Sequence, residues 1–220
     1  MTHRLDLSRI AAEPYEHRGI NHSEMALIIE TCLDLGIETF IESGRARAQS
    51  TYMLAKYLPH VEIHSIEMRD DPDARFGIQR AGAWPNVRLH HGDARQLLPE
   101  LAAKASPGAT AVLCDGPKGF VAIDLIGECF RLPHVRVGFI HDMRRLDHGA
   151  PSPGRIVAIE TFPNHRFSDE PELLERYGWL DEQIREAGGP AGPAHEKEFG
   201  SPGPTVGVFY PNSASPHKTT

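Results

Sequence analysis

The chain has 220 residues, of which 40% are hydrophobic and 24% charged, and its formal net charge is −7; one substantial core can be buried, and the acidic balance argues against nucleic acid as the main partner. No apolar run approaches the roughly 18 residues that span a bilayer, and the opening MTHRLDLSRI has no signal-peptide core, so a cytoplasmic protein without membrane contact is expected, acting on a small molecule. Cys32, Cys114 and Cys129 are odd in number, lie in apolar segments and lack CxxC spacing, which excludes a disulfide framework or zinc cluster and leaves buried, reduced thiols.

In chain order, residues 1–22 read as an N-terminal segment, with Tyr15, His17 and Asn21 in the stretch before the first helix. SEMALIIETCLDLG follows with helical spacing, Ser23 placed to cap it and Gly36 to end it. Five short apolar runs then predict strands at 38–43, 61–67, 86–92, 110–116 and 135–142. Between them, STYMLAKYL, DARQLLPELAAKA and FVAIDLIGECF carry the pattern of crossover helices, so the fold class is α/β, a doubly wound and mostly parallel sheet in a single domain. Residues 144–167 are ambiguous, since RIVAIETF fits a strand or a short helix equally. One helix is predicted from Ser168 and Pro171 through Ala187, and TVGVFY forms a last strand. Residues 188–204 are rich in Gly and Pro and predict a long surface loop that serves as a lid, the domain running over 23–211 and a disordered polar tail over 212–220.

Ligands of open α/β sheets bind beyond the carboxyl ends of the strands, and here every such end is polar. The first strand runs into ESGRARAQST, where Gly44 makes a tight turn that lets backbone amides approach a ligand, with Ala46 and Ala48 at the later small positions. Glu67 ends the second strand, where an acid accepts ribose hydroxyls. His90 and His91 alternate across a strand and cannot share one metal. Loop residues His148, His165 and His195 read as solvated, and Tyr177 and Trp179 as packing residues.

These residues resemble the class I S-adenosylmethionine-dependent methyltransferases, and more closely the catechol O-methyltransferase group, from about Ser23 to Met143. The family's ExGxxxxxS turn is matched by Glu42, Gly44 and Ser50, which implies a S-adenosyl-L-methionine site, and Glu67 takes the ribose position. VRLHHGDARQLLPEL is similar to the segment that lines the adenine, which implies Asp93 and Ala94 there, with Asp93 equally readable as a helix N-cap. In DGPKG the spacing of the family's metal-binding aspartate and catalytic lysine recurs. Asp115 is thereby implied as a cofactor-side and metal residue, and Lys118 as the base that removes the acceptor's hydroxyl proton.

The fifth strand ends in HDM, where the family has two oxygen donors; Asp142 fits and His141 departs. Magnesium prefers oxygen, while an imidazole suits manganese, iron or zinc better. Three readings follow: a divalent metal held by Asp115, His141 and Asp142; no metal, with His141 as general base; or a His141 that only hydrogen-bonds Asp142. Two carboxylates at neighbouring strand ends repel unless a cation lies between them, which favours the metal. The expected activity is a metal-assisted O-methyltransferase acting on a small hydroxylated acceptor. Its rivals are a metal-independent methyltransferase and a non-methylating protein that keeps the fold. Neither the acceptor nor the oligomeric state is legible.

Overall fold

A computed structural model of the chain describes residues 5–16, 19–105, 107–143, 150–186 and 205–212. The expected loop over 188–204, most of the tail, and His17, His148 and His195 lie outside them. Seven strands form one sheet in the order β3-β2-β1-β4-β5-β7-β6. They are β1 (Thr39–Ser43), β2 (Glu62–Glu67), β3 (Val87–His91), β4 (Thr110–Cys114), β5 (Val135–Ile140), β6 (His165–Phe167) and β7 (Gly207–Phe209). The first five pair in parallel, whereas β7 runs antiparallel to both β5 and β6.

The five expected parallel strands fall where the apolar runs lie, and β1 and β4 are buried at every residue because helices cover both faces. One face carries α1 (Leu7–Ala11), α2 (His22–Asp34), α3 (Gln49–Tyr57), α4 (Pro72–Ala81), α8 (Pro171–Tyr177) and α9 (Trp179–Glu186) over a core that includes Phe40, Ile63 and Phe139. The other carries α5 (Ala94–Lys104), α6 (Phe120–Cys129) and α7 (Pro153–Thr161) over Ile41, Val112 and Ile140. All three cysteines are free and buried, and burial pushes the Cys114 and Cys129 thiols up to about 12.

Two local expectations are corrected and one ambiguity is resolved. Helix α2 is capped at Asn21, not Ser23: Glu24 Oε2 accepts the Asn21 amide at 2.9 Å, while Ser23 Oγ donates to Asp181 on α9 at 2.5 Å. The late helix is two helices, because the chain caps α8 at Gly178 before α9 starts. The ambiguous RIVAIETF is helical, capped by Ser152 Oγ and opened by Pro153, and the sheet edge β6 follows it.

At the start of α2, His22 is only 1% exposed, and neither ring nitrogen has a hydrogen-bond partner among the described residues. Tyr15 meets the ring edge-on at 5.8 Å. Burial lowers its pKa from 6.5 to about 4, the Glu13 charge opposing only weakly. A folded pKa depressed below the unfolded one means that the unfolded chain takes up the proton first, so stability is lost as pH falls from about 6.5 toward 4. Unfolding by urea should show a loss of about 2 kcal/mol between roughly pH 7.5 and pH 5 that His22→Phe abolishes. Identical pH dependence in the two proteins would overturn the assignment.

Candidate functional site

The chain leaves β1 toward β2 and β3, then returns across the sheet to β4, so the crevice of this topology opens between the β1 and β4 ends. A cleft of about 220 Å³ lies there, lined on the sheet side by Gly44, Arg45, Ala46, Ser50 and Asp115. Its other wall is the N-terminal segment, with Glu16, Gly19 and Ile20. Gln49 ties the two walls together: its Nε2 donates to Pro14 O at 3.3 Å and its Oε1 accepts the Glu16 amide at 3.2 Å. Arg47 and Arg80 both pair with Glu16, at 2.7 and 3.2 Å. Neither Gln49 nor Glu16 stood out in the sequence, because their pairing is tertiary.

The turn after β1 is built differently from what its glycine suggested. Gly44 N and Arg45 N donate to Ile66 O at 3.1 and 3.2 Å, and Ala46 N donates to Glu67 Oε2 at 2.8 Å, so these amides are already used. Gly44 is required by its neighbours: at φ +88°, an added Cβ would lie 2.8 Å from Gly116 N. Glu42 is sealed beneath the turn at 1% exposure, accepting hydroxyl hydrogens from Ser50 at 2.7 Å, Ser65 at 2.8 Å and Thr51. Its burial raises the carboxyl pKa against those three donors. Ser50 is thus oriented by Glu42 while still lining the cleft. Glu67 is buried too, its Oε1 accepting the Arg69 amide at 2.9 Å.

Asp93 caps α5, accepting the Arg95 amide at 2.9 Å, and its carboxylate is held by the Arg95 guanidinium at 2.6 Å. Ala94 is buried in the core. Of the two readings of Asp93, the N-cap is the one the geometry displays. His90 stacks on His64 with Nε2 and Nδ1 3.0 Å apart, and His91 lies on the opposite face. His165 bonds Phe162 O at 2.8 Å, and Tyr177 is buried with its hydroxyl on Glu30 at 2.5 Å.

At the β4 and β5 ends the expected cluster does assemble. Asp115 follows β4, His141 and Asp142 follow β5, and Lys118 opens the approach to α6. His141 Nδ1 is 2.7 Å from Asp115 Oδ1, and its Nε2 is 3.5 Å from Glu24 Oε2. Lys118 Nζ contacts Asp115 Oδ1 and is 2.8 Å from Asp142 Oδ2. Asp142 holds a left-handed backbone at φ +65°, a conformation that aspartate tolerates better than most residues. Glu24, 1% exposed, also accepts the Thr205 amide at 2.5 Å, which joins α2 and the entry to β7 to the cluster. That residue was missed; the Asn21-to-Glu24 capping spacing was its only local signal.

Charge explains the protonation. Burial alone would favour a neutral His141, but the Asp115 and Glu24 carboxylates outweigh it and raise the pKa to about 10. Both nitrogens of this imidazolium face carboxylates, so His141 must first lose a proton before it can act as a general base or as a metal ligand. Burial likewise opposes the charge on Asp115, yet His141 and Lys118 hold its carboxyl below the usual range. Lys118 is raised above the ordinary lysine value, burial being outweighed by Asp115 and Asp142. The resting group at Nζ is therefore an ammonium. Asp115, His141 and Asp142 each present one donor atom, all within 4.8 Å of one another, and by reach and chemistry this set can take a divalent cation.

Among solved structures, the O-methyltransferase TomG from Streptomyces achromogenes, involved in tomaymycin synthesis and in complex with SAM, superposes with a TM-score of 0.51 at 16% identity, covering 94% of this chain and 91% of that one. The fold is that of the class I methyltransferases. SAH-bound PaMTH1 from Podospora anserina is similar at 12% identity over 85% of this chain and 77% of its own, with a TM-score of 0.45. MycE of the mycinamycin pathway, in complex with Mg and SAH, gives 16% identity, 96% and 49% coverage and a TM-score of 0.47. No protein-family model and no curated protein matches the chain. In the methyltransferase fold the cleft between β1 and β4 lies at the topological switch point, and the Asp115 cluster stands at its rim. No helix among the described residues is long and apolar enough to cross a membrane.

Proposed function

We propose that the chain is a S-adenosylmethionine-dependent O-methyltransferase that binds its donor in the cleft beside Gly44 and Ser50 and a small hydroxylated acceptor at Asp115, Lys118, His141 and Asp142. The observation that carries this is the placement of two cationic side chains and two carboxylates at adjacent strand ends, with Asp115 shared between that cluster and the cleft. TomG, of the same fold, is an O-methyltransferase found with SAM. Methyl transfer asks little of a protein beyond holding sulfonium, methyl carbon and acceptor oxygen in line, ionising the acceptor and excluding water.

Asp115 fixes the orientation of both cations, Glu24 locks the far side of His141, and the Lys118 ammonium stabilises negative charge as it develops on the acceptor oxygen. Asp115, His141 and Asp142 would hold a divalent cation, which when bound acidifies a nearby hydroxyl. With the carboxylates engaged by such an ion, Lys118 would lose the anions that hold its proton, and Nζ could accept the acceptor's hydroxyl proton only after first releasing its own to solvent. A second reading, in which Lys118 alone supplies the positive charge and no metal is needed, is favoured by its position between Asp115 and Asp142. Calorimetric titration with S-adenosylhomocysteine tests the activity class, and absence of binding would overturn it. Turnover after exhaustive chelation separates the metal-assisted form from the metal-free one.

Glu67 is proposed to hold the ribose through the lone pairs its two backbone contacts leave over. Glu67→Ala should weaken S-adenosylhomocysteine binding at least about tenfold, because charge-assisted hydrogen bonds contribute about 1.5 to 3 kcal/mol each. Adenosine lacking the 2′ and 3′ hydroxyls should bind wild type and variant alike. If that analogue loses affinity as well, Glu67 acts only by bracing the Ala46 turn.

A further inference from the structure

Two carboxylates in this cluster need a cation, and the chain carries one that reaches them. Lys118 Nζ contacts Asp115 and stands 2.8 Å from Asp142, so it occupies the gap between the oxygens that would ligate a divalent ion. An ammonium seated there and a metal ion would compete for those carboxylates, because at such separations like charges repel in a partly desolvated site. We propose that Lys118 is a built-in competitor for the cation, closing the Asp115 and Asp142 pair in the metal-free protein and swinging outward when a metal enters. The inference rests on the proposed reading of this cluster as the cation and acceptor site.

The exposures set which group moves. The Lys118 side chain is 45% exposed, so its stem can turn toward solvent without opening the core. His141 is 13% exposed and is held between Asp115 and Glu24 of α2, itself 1% exposed. Exchange of one cation for another keeps the carboxylates from facing each other unscreened. Metal affinity is the quantity that this competition depresses.

The test measures manganese binding to the full chain by calorimetry and by loss of the free-ion electron paramagnetic resonance signal, without any acceptor. Lys118→Met should bind manganese at least about tenfold more tightly than wild type, a difference of about 1.4 kcal/mol. Lys104→Met, which removes an equal charge from an exposed pair with Glu100 on α5, should leave the affinity unchanged. Adding Asp142→Asn to Lys118→Met should cancel the gain. Equal affinity in wild type and Lys118→Met overturns the proposal, as does an equal gain from Lys104→Met or a gain that survives Asp142→Asn. Failure of both proteins to bind manganese saturably overturns it together with the metal-assisted reading. A parallel titration of the same samples with S-adenosylhomocysteine shows separately whether the methyltransferase reading stands.

Discussion

Replacing Asp115 by Asn is expected to lower kcat for methyl transfer by about a hundredfold or more while the protein still folds. One carboxylate here orders two cations: His141 Nδ1 at 2.7 Å and the Lys118 ammonium. Both contacts fall on Oδ1, so an amide of the same shape keeps an acceptor there but carries no charge, and its hold on both cations is weakened. Removal of a single preorganised group that faces developing charge costs about 10² to 10³ in rate in comparable sites. Structural damage should be small, because the Asp115 side chain is 23% exposed and water can compensate the loss. The variant also carries a signature that a merely destabilised protein lacks. With Glu24 at 3.5 Å and Asp142 at 3.8 Å as the remaining anions, the His141 pKa should fall from about 10 toward its ordinary value, which a proton resonance titration of that ring reads directly. Stability linked to His141 is fully present below pH 6.5 and is lost as pH rises toward 10, so the variant should lose the part of this alkaline dependence that Asp115 supplies. Unchanged turnover with an unchanged His141 titration would refute the role given to Asp115.

Much of this arrangement could be read from the chain because central parallel strands are covered on both faces and therefore stand out as unbroken apolar runs. Their polar ends mark the rim of the sheet, and the Asp115 to Lys118 and His141 to Asp142 spacings survive as local text. Where reading failed, a tertiary partner decided the outcome. Gly178 is tolerable inside one helix by propensity alone, yet the chain ends α8 there and starts α9. RIVAIETF carries β-branched residues that suit a strand, but Ser152 and Pro153 cap it as α7. Glu42 keeps its place in the motif, and its ties to three hydroxyls beneath the turn are tertiary contacts that the sequence does not display. Glu24 reads locally as a capping residue, and only the fold brings it to His141. The need for a cation between Asp115 and Asp142 was legible, whereas its first supplier, Lys118, required the side-chain geometry.

Substituting Gly44 by Ala is expected to destabilise the protein by about 2 to 4 kcal/mol and to weaken S-adenosylhomocysteine binding at least about tenfold, from two separable causes. The first is the backbone: Gly44 sits at φ +88°, where a side chain is strained at a cost of about 1 kcal/mol. The second is contact, since the new methyl would lie 2.8 Å from Gly116 N and 2.9 Å from Asp115 C. Those atoms belong to the chain just beyond β4, so they can yield only by moving Asp115, which lines the cleft and anchors Lys118 and His141. Overpacking of this kind costs about 1 to 3 kcal/mol. Gly36 provides the matched control: it too has positive φ, +59°, but nothing lies within 4 Å of its added Cβ. Gly36→Ala should therefore show only the backbone penalty and normal ligand affinity. Urea unfolding and calorimetry on both variants decide the matter. If Gly44→Ala behaves like Gly36→Ala, the close approach of the β1 and β4 turns is not what holds Asp115 in place.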